Sequence, residues 1–331
     1  MNSAKYDVLT IGNAIVDIIA RAEDDFLVKH NINKAAMNLI DAERAVKLYD
    51  VMGPAIETSG GSAANTAAGV ASLGGTAAYF GKVSNDYLGG VFAHDIKAVG
   101  VDFANNPLDG DPATARSMIF VTPDGERSMN TYLGACVELS PDDIDSDMVA
   151  DASITYFEGY LWDPPLAKDA IRLAAEIAHQ NGRQVAMTLS DSFCVDRYRE
   201  EFLNLMRSRT VDIVFANEAE LKSLYQTSSF EEGIKAIRED CALGIVTRGE
   251  AGSVVVTYEK THVVEAIPVK ELVDTTGAGD LYAAGFLFGM THGMSEQDCA
   301  RLGGLAATEV IQQIGPRPQV RLVDVAAEAG F

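Results

Sequence analysis

Residues 274–280 read Asp274-Thr275-Thr276-Gly277-Ala278-Gly279-Asp280 and run directly into the apolar segment LYAAGFLFG, which predicts a helix. Two glycines separated by one small residue let the backbone approach an anion closely. The N-terminus of the following helix would aim unpaired N–H groups at that anion. The segment therefore predicts a phosphate-binding loop formed by Gly277, Ala278 and Gly279.

Asp280, at the end of this loop, has two interpretations. A carboxylate in the first turn of a helix is favourable at the positive end of the helix dipole, so Asp280 could be purely structural. A carboxylate inside an anion-binding loop also repels the anion unless it takes part in chemistry there. A general base that accepts a proton from a hydroxyl attacking the γ-phosphorus of a nucleotide would explain the position. The spacing alone leaves both interpretations open.

Strand-like and helix-like runs alternate along the chain, which predicts an α/β fold with a mostly parallel sheet covered by helices on both faces. Strands are predicted at residues 6–11, 77–83, 184–189 and 211–215 and around residues 245 and 254. Helices are predicted at residues 62–73, 87–99, 166–180, 277–290 and 296–313 and after residue 217.

Two stretches, residues 15–40 and 112–134, interrupt this alternation. Both alternate polar and apolar residues with no helix expected to follow, and the second contains the tight-turn sequence Thr122-Pro123-Asp124-Gly125. We expect them to pair as a small β-sheet lid inserted in one domain that spans residues 1–331.

A second group of polar and glycine residues is predicted to bind a sugar-like diol. Asn13 and Asp17 follow the first strand, and Ser59-Gly60-Gly61-Ser62-Ala63-Ala64-Asn65 leads into a helix. A carboxylate accepts hydrogen bonds from two adjacent hydroxyls, an amide can both donate and accept, and Gly60 and Gly61 allow close backbone approach. Each residue taken singly also fits an ordinary turn, strand end or helix surface.

Composition and charge exclude several classes of protein. The 331 residues are 47% hydrophobic, and Asp+Glu 48 against Lys+Arg 26 give a formal net charge of -22, which disfavours nucleic acid and anionic membranes as partners. No apolar run is long enough for a membrane span. The four cysteines are far apart, so we expect reduced, buried thiols in a cytoplasmic protein. Neither a Walker A motif nor a G-x-G-x-x-G fingerprint is present.

Taken together, these motifs resemble those of the ribokinase-like (PfkB) carbohydrate kinases. The glycine-rich segment at residues 60–75, with YFGKVSNDYLGG after it, is similar to the N-terminal signature of that family, and residues 274–280 are similar to its C-terminal signature. The resemblance implies a three-layer α/β/α domain with a small lid. It also implies that Asp280 is the catalytic base and that Gly277, Ala278 and Gly279 form an anion hole.

The resemblance also implies positions for the nucleotide and for cations. Asn217 and Glu220 match an N-x-x-E element that holds Mg²⁺ largely through water, although a helix N-cap followed by a first-turn acid is the alternative. Thr247 and Gly249 match a T-x-G element that contacts ATP. Residues expected to contribute to the remaining sites are Thr275 for the nucleotide and Asp274, Thr276 and Gly315 for a K⁺ ion.

Within the family, the chain looks most like the adenosine kinases of bacteria. The run GERSMNTYLGA at residues 125–135 and the sequence Glu158-Gly159-Tyr160 carry this likeness. It implies that Tyr160 stacks on a purine, with Phe193 and Trp162 as weaker candidates, and that residues 37–39 and Leu133 supply apolar cover. Arg116 and Arg127, in the predicted lid, could approach the triphosphate or could be solvated strand residues.

The predicted function is ATP-dependent phosphorylation of the 5′-hydroxyl of a purine ribonucleoside, in particular of adenosine to AMP. The first alternative is a kinase of the same fold acting on free ribose, fructose or a keto-deoxy sugar acid. The second is a nucleoside or ATP sensor that has lost catalysis. A monomer and a homodimer are both compatible with the sequence.

Overall fold

The computed structural model describes residues 4–103 and 106–331. The strands, in chain order, are β1 (Tyr6–Ile11), β2 (Ile15–Arg21), β3 (Met37–Leu39), β4 (Ala55–Ser59), β5 (Ala77–Phe80), β6 (Val101–Phe103), β7 (Ala115–Val121), β8 (Arg127–Tyr132), β9 (Ala152–Glu158), β10 (Gln184–Thr188), β11 (Ile213–Asn217), β12 (Leu243–Thr247), β13 (Ser253–Thr257) and β14 (Thr261–Val264). The helices are α1 (Asp24–Lys29), α2 (Ala42–Val51), α3 (Ser62–Ser72), α4 (Tyr87–Ala98), α5 (Ser146–Ala150), α6 (Pro165–Gln180), α7 (Ser192–Arg207), α8 (Glu218–Tyr225), α9 (Phe230–Asp240), α10 (Ala278–Thr291), α11 (Glu296–Val310) and α12 (Leu322–Glu328).

The larger sheet has nine strands in the order β14-β13-β12-β11-β10-β9-β1-β5-β6. All neighbouring pairs from β12 to β6 are parallel, whereas β13 and β14 pair antiparallel at one edge. Apolar residues on both sides of these strands explain this arrangement, because a parallel sheet is covered by helices on both faces.

Two buried apolar clusters lie against the two faces of this sheet. Successive residues of β1 point to opposite faces, so Val8 belongs to one cluster and Leu9 to the other. The first cluster includes Phe286 of α10, and the second includes Ile171 of α6. The prediction of a three-layer α/β/α fold is therefore confirmed.

The smaller sheet has five strands in the order β3-β8-β7-β2-β4. β2 and β7 come from the two stretches that were predicted to pair, and they are parallel over seven residue pairs. Two features were not predicted. α1 lies inside the first stretch, where strand alone was predicted, and β4 pairs antiparallel with β2 along one edge of this sheet.

No helix of the described segments is at once long enough and apolar enough to cross a bilayer. The four cysteines are free and buried, as expected.

Candidate active site

A cavity of about 520 Å³ lies between the carboxyl ends of the central parallel strands and the smaller sheet. Open α/β sheets bind ligands in this place, because the loops that follow neighbouring strands converge there. Most of the residues predicted for the site line the cavity, namely Asn13, Asp17, Gly61, Asn65, Leu133, Tyr160, Asn217, Glu220, Thr247, Thr275, Thr276, Gly277, Ala278, Gly279 and Asp280. Gly60, Gly249, Asp274 and Gly315 are not among the lining residues.

The glycine loop is held against the C-terminal segment of the chain. Gly277 is the N-cap of α10 and has a φ of 80°, in the left-handed region. A Cβ placed on Gly277 would lie 2.6 Å from the carbonyl oxygen of Pro316, which also lines the cavity. Both the dihedral angle and this close approach require glycine.

The N–H groups of this loop are only partly used within the chain. The N–H of Ala278 donates to the carbonyl of Thr275 at 3.2 Å. Within the described part of the chain, the N–H groups of Gly277 and Gly279 have no such acceptor. Because they lie at the positive end of the α10 dipole and border the cavity, they can donate to an anion there.

The carboxylate of Asp280 is tied to helix α3. The Ser62 hydroxyl donates to Oδ1 at 2.6 Å, and the Asn65 amide donates to Oδ2 at 2.9 Å. Burial raises the pKa of Asp280, while these two donors and the charge of Arg317 oppose the rise. A carboxylate held this way has a fixed orientation, and its raised pKa makes it a stronger proton acceptor than an exposed aspartate.

The residues predicted to bind a diol lie next to Asp280. A Cβ on Gly61 would be 2.2 Å from the carbonyl oxygen of Asn13, and one on Gly60 would be 2.5 Å from Oδ2 of Asp17. Gly60 therefore packs against Asp17 without lining the cavity. Burial raises the pKa of Asp17 to about 7, although Arg317 and Arg127 lower it.

Glu158 is a site residue that the sequence reasoning missed. It ends the buried strand β9, lines the cavity and is 1% exposed. Its Oε1 accepts from the backbone N–H and the side-chain amide of Asn13 (2.9 and 2.8 Å), and its Oε2 accepts from the N–H of Ala63 at 2.8 Å. Burial raises the pKa of Glu158 to about 7 despite these donors. A carboxylate ending an apolar strand in the middle of a parallel sheet is the signal that could have identified it.

Asn217 and Glu220 form a closed capping box at the start of α8. The Asn217 side chain accepts from the Glu220 N–H at 2.9 Å, and the Glu220 carboxylate accepts from the backbone and amide N–H groups of Asn217 (2.9 and 2.6 Å). Asn217 and Glu220 are therefore a helix N-cap and a first-turn acid, which was the alternative interpretation of the N-x-x-E element. Both residues still border the cavity beside Thr247, and burial raises the pKa of Glu220 to about 7.

The described residues contain no cluster of three or more side chains suited to a metal ion. A single carboxylate such as Glu220 fits Mg²⁺ held mainly by phosphate oxygens and water, because this ion keeps several of its waters.

The three residues predicted for a K⁺ site lie together. Oδ1 of Asp274 accepts from the backbone N–H and the hydroxyl of Thr276 (3.0 and 2.7 Å), and Oδ2 accepts from the N–H of Gly315 at 2.8 Å. The guanidinium of Arg127 is ion-paired with Oδ2 as well. The carboxylate of Asp274 is therefore engaged by these donors and by Arg127, which leaves the backbone oxygens of the three residues as candidate ligands for a cation.

Apolar and aromatic side chains cover one side of the cavity. Tyr160, Leu133, Met37 and Leu39 all line it, and the Tyr160 hydroxyl donates to the carbonyl of Ser190 at 3.3 Å.

The two weaker candidates for a purine contact were wrong. Trp162 is fully buried, stacked on Phe157 and donating to Glu201, so it belongs to the core. Phe193 is 79% exposed and does not border the cavity.

Arg317 is a second residue that the sequence reasoning missed. Its Nε donates to Oδ1 of Asn65 at 3.2 Å, and its Nη1 donates to the hydroxyl of Ser59. The surrounding sequence, Gly315-Pro316-Arg317-Pro318, has no periodicity, and Arg317 is 252 residues from Asn65 along the chain. No local signal could have placed it.

Known proteins resemble this chain over nearly its whole length. The model of the pfkB family of carbohydrate kinases matches residues 7–321. A crystal structure of adenosine kinase from Sinorhizobium meliloti is 66% identical, covers 99% of this chain and 100% of its own, and has a TM-score of 0.94. A probable sugar kinase from Rhizobium etli CFN 42 is 64% identical, with 99% coverage of each chain and a TM-score of 0.94.

A curated relative agrees with these structures. The adenosine kinase of Saccharomyces cerevisiae is 27% identical over 331 aligned positions, which cover 93% of this chain and 96% of the yeast protein. The family match extends from β1 to the segment that carries Arg317, so it includes both sheets and the whole cavity. The chain belongs to the pfkB family of carbohydrate kinases.

Proposed function

We propose that the protein transfers the γ-phosphate of ATP to the 5′-hydroxyl of a purine ribonucleoside, and that its substrate is adenosine. The observation that carries this proposal is the position of Asp280. Its carboxylate is fixed by Ser62 and Asn65, adjoins the N–H groups of the glycine loop, and shares one cavity with the diol candidates Asn13 and Asp17. Relatives named adenosine kinase support the choice of substrate.

The reaction assigns one role to each part of the site. Asp280 accepts the proton of the 5′-hydroxyl as the hydroxyl oxygen forms its bond to the γ-phosphorus and the bond from that phosphorus to the β-phosphate oxygen breaks, releasing ADP. The N–H groups of Gly277 and Gly279 stabilise the negative charge on the transferring phosphoryl group. Thr247, Thr275 and Asn217 contact the nucleotide in this proposal.

Two cations complete the proposal. Mg²⁺ would neutralise charge on the phosphates of ATP, and Glu220 would hold it through water. Backbone oxygens of Asp274, Thr276 and Gly315 would hold a K⁺ ion near the anion hole.

The smaller sheet would act as the lid of a single domain that spans residues 1–331. Met37 and Leu39 line the cavity and are 43% and 51% exposed, so a bound base would cover apolar surface that now faces water. Closure would also keep water, a competing phosphoryl acceptor, from the γ-phosphate.

A free-sugar kinase is the second candidate, because the 64% identical Rhizobium etli protein is described as a probable sugar kinase. A free sugar would leave Tyr160, Leu133 and the exposed apolar residues of β3 without a contact. An acidic sugar would need a cation at the acceptor site. The aromatic and apolar cover therefore favours a nucleoside.

The test is an ADP-release assay with Mg·ATP against adenosine, guanosine, inosine, ribose, fructose and 2-keto-3-deoxygluconate. Selective turnover of adenosine is the expected result, whereas turnover of a free sugar alone would reject the nucleoside. An Asp280→Asn variant should bind adenosine with nearly unchanged affinity and lose most of its kcat. Tight binding of nucleoside or ATP by the wild-type protein without any turnover would instead indicate a sensor.

The cellular setting of this proposal is the cytoplasm, where ATP is abundant. Four free, buried cysteines are compatible with a reducing compartment.

A further inference from the structure

Arg317 lies in the segment that connects α11 to α12, and this segment is anchored to the glycine loop at several points. The N–H of Gly315 donates to Asp274, Pro316 packs against Gly277, and the side chain of Gln313 donates to the carbonyl of Arg317 at 2.7 Å. The backbone that carries Arg317 is therefore held in place beside the first turn of α10.

The guanidinium of Arg317 points toward the start of α3. It donates to the Asn65 amide oxygen and to the Ser59 hydroxyl, while its Nη2 is buried and has no hydrogen-bond partner among the described residues. Burial lowers the pKa of Arg317 to about 10, so the side chain stays positively charged at neutral pH.

The Asn65 amide links this cation to Asp280. Its oxygen accepts from Arg317 at 3.2 Å, and its nitrogen donates to Oδ2 of Asp280 at 2.9 Å. With a donor on one side and a carboxylate on the other, only one orientation of the amide satisfies both hydrogen bonds. The cation also polarises the amide, which strengthens the bond that it donates.

We propose that Arg317 is a positioning residue for phosphoryl transfer, which fixes the amide of Asn65 and through it keeps the carboxylate of Asp280 oriented and ionised. This inference rests on the proposed role of Asp280 as the base. It assigns a task to a residue that need not touch substrate, because Arg317 itself does not border the cavity.

Charge at this position matters because burial, together with a neighbouring carboxylate, disfavours the ionised form of Asp280. Burial raises the pKa of Asp280, and the carboxylate of Glu158 interacts repulsively with it. Tyr156 and Tyr160 also face Asp280, both as neutral phenols with a raised pKa. Arg317 is the cation that opposes the rise, so its removal should raise the pKa of Asp280 further.

The sign of the effect on activity follows. A general base works only when it is deprotonated, so the acidic limb of the pH profile of kcat should move to higher pH when Arg317 is neutralised. Arg317 also lowers the pKa of Asp17. The pH profile of kcat/KM reports the free enzyme, so in this profile the titration of Asp17 should also move to higher pH. The profile of kcat should lack this second shift if bound substrate covers Asp17.

The experiment compares Arg317→Gln, Arg317→Lys and the control Arg321→Gln, which changes an exposed arginine four residues further along the chain. With adenosine and Mg·ATP saturating, Arg317→Gln should lower kcat at pH 7 by tenfold or more and shift the acidic limb upward by about one pH unit. Arg317→Lys should keep the wild-type limb and recover part of kcat, because a lysine supplies the charge without the planar fork of donors.

A second measurement follows the Asp280 carboxyl directly, by carbon NMR titration of the unliganded protein, and does not depend on turnover. An unchanged Asp280 pKa in Arg317→Gln, or a loss of Tm with an unshifted kcat profile, would show a merely structural arginine and overturn the inference. If Arg317→Gln does not fold, Arg317→Lys carries the test, since a wild-type kcat in that variant would also overturn it. Absence of phosphoryl transfer in the wild-type protein would instead reject the proposed function.

Discussion

Arg127, at the start of β8 in the smaller sheet, is ion-paired with Asp274, three residues before the left-handed turn at Gly277. Both side chains are largely buried, with 12% and 6% of their surface exposed. Asp274 in turn fixes Thr276 and Gly315 through three further hydrogen bonds. The smaller sheet is thus joined directly to the loop that is proposed to bind the transferred phosphate.

Asp274→Asn should break this ion pair and leave the guanidinium of Arg127 without a counter-charge. Removing one partner of a buried pair costs about 3–5 kcal/mol, so the free energy of unfolding in urea should fall by that order, and kcat should fall with it. The control is Asp124→Asn, which removes an exposed partner of Lys34 in the turn between β7 and β8 and should change the free energy of unfolding far less, because solvent screens an exposed ion pair. Equal losses in the two variants would contradict the link.

Gly277→Ala should disable the loop while leaving the rest of the fold intact. The positive φ alone costs about 1–3 kcal/mol in a residue with a Cβ, and contact with Pro316 would displace the loop. A misplacement of about 1 Å can lower kcat roughly 100-fold. Steady-state kinetics and thermal unfolding check this. Gly90→Ala, at an exposed helix position with no neighbour within 4 Å, should keep full activity and slightly raise Tm.

Asp17→Asn should stabilise the protein at alkaline pH and impair substrate binding. The pKa of Asp17 is raised to about 7, so the folded state retains a proton that the unfolded state has lost, and this carboxyl destabilises the fold as pH rises through the range from about 4 to 7. The variant should be more stable than wild type by up to about 4 kcal/mol at pH 8, which is a shift of about three pKa units at roughly 1.4 kcal/mol each, and nearly as stable as wild type at pH 4. Thermal melts at pH 8 and pH 4 measure the stability, and KM for adenosine measures substrate binding. A gain in stability that is equal at the two pH values would show that the raised pKa of Asp17 is not its cause.

Tyr160→Ala should weaken nucleoside binding without affecting ATP. Loss of a stacking ring should raise KM for adenosine by ~10-fold, equivalent to about 1.4 kcal/mol, while KM for ATP stays within twofold. Tyr160→Phe keeps the ring and removes only the hydrogen bond to Ser190, so it should stay close to wild type. If both variants raised KM for ATP more than KM for adenosine, ATP and not the acceptor nucleoside would lie beside this residue.

The larger sheet was predictable because its strands and helices carry strong local patterns. β1 was predicted with its observed ends, and α3 and α4 each end one residue earlier than expected. α7 was missed, since Tyr198 interrupts it with non-helical backbone angles and its sequence is rich in charged residues. β4 was missed because Ile56, in its middle, is 70% exposed, so its sequence lacks the apolar alternation of a half-buried strand.

The candidate site also contains residues that the local sequence predicts and contacts that depend on the whole fold. The glycine loop and Asp280 were predictable because the requirement for small residues and a helix start is written in consecutive positions. Glu158 could be identified from its place at the end of an apolar strand, but its partners and those of Arg317 could not, because each residue acquires them only when segments far apart in the chain meet. Glu158 reaches Asn13 across 145 residues, and this contact depends on the order of strands in the sheet.

Two short connections join the smaller sheet to the rest of the domain beside the cavity. Residues 12–14 join β1 to β2, and residues 60–61 join β4 to α3, so both strands of the smaller sheet leave the main body at one place. If the smaller sheet rotated about these connections, Asn13, which is hydrogen-bonded to Glu158, would lie close to the axis, and β3 would lie far from it. The residues proposed to bind the sugar would thus lie at the pivot, and a small rotation there would move Met37 and Leu39 over a long distance across the mouth of the cavity.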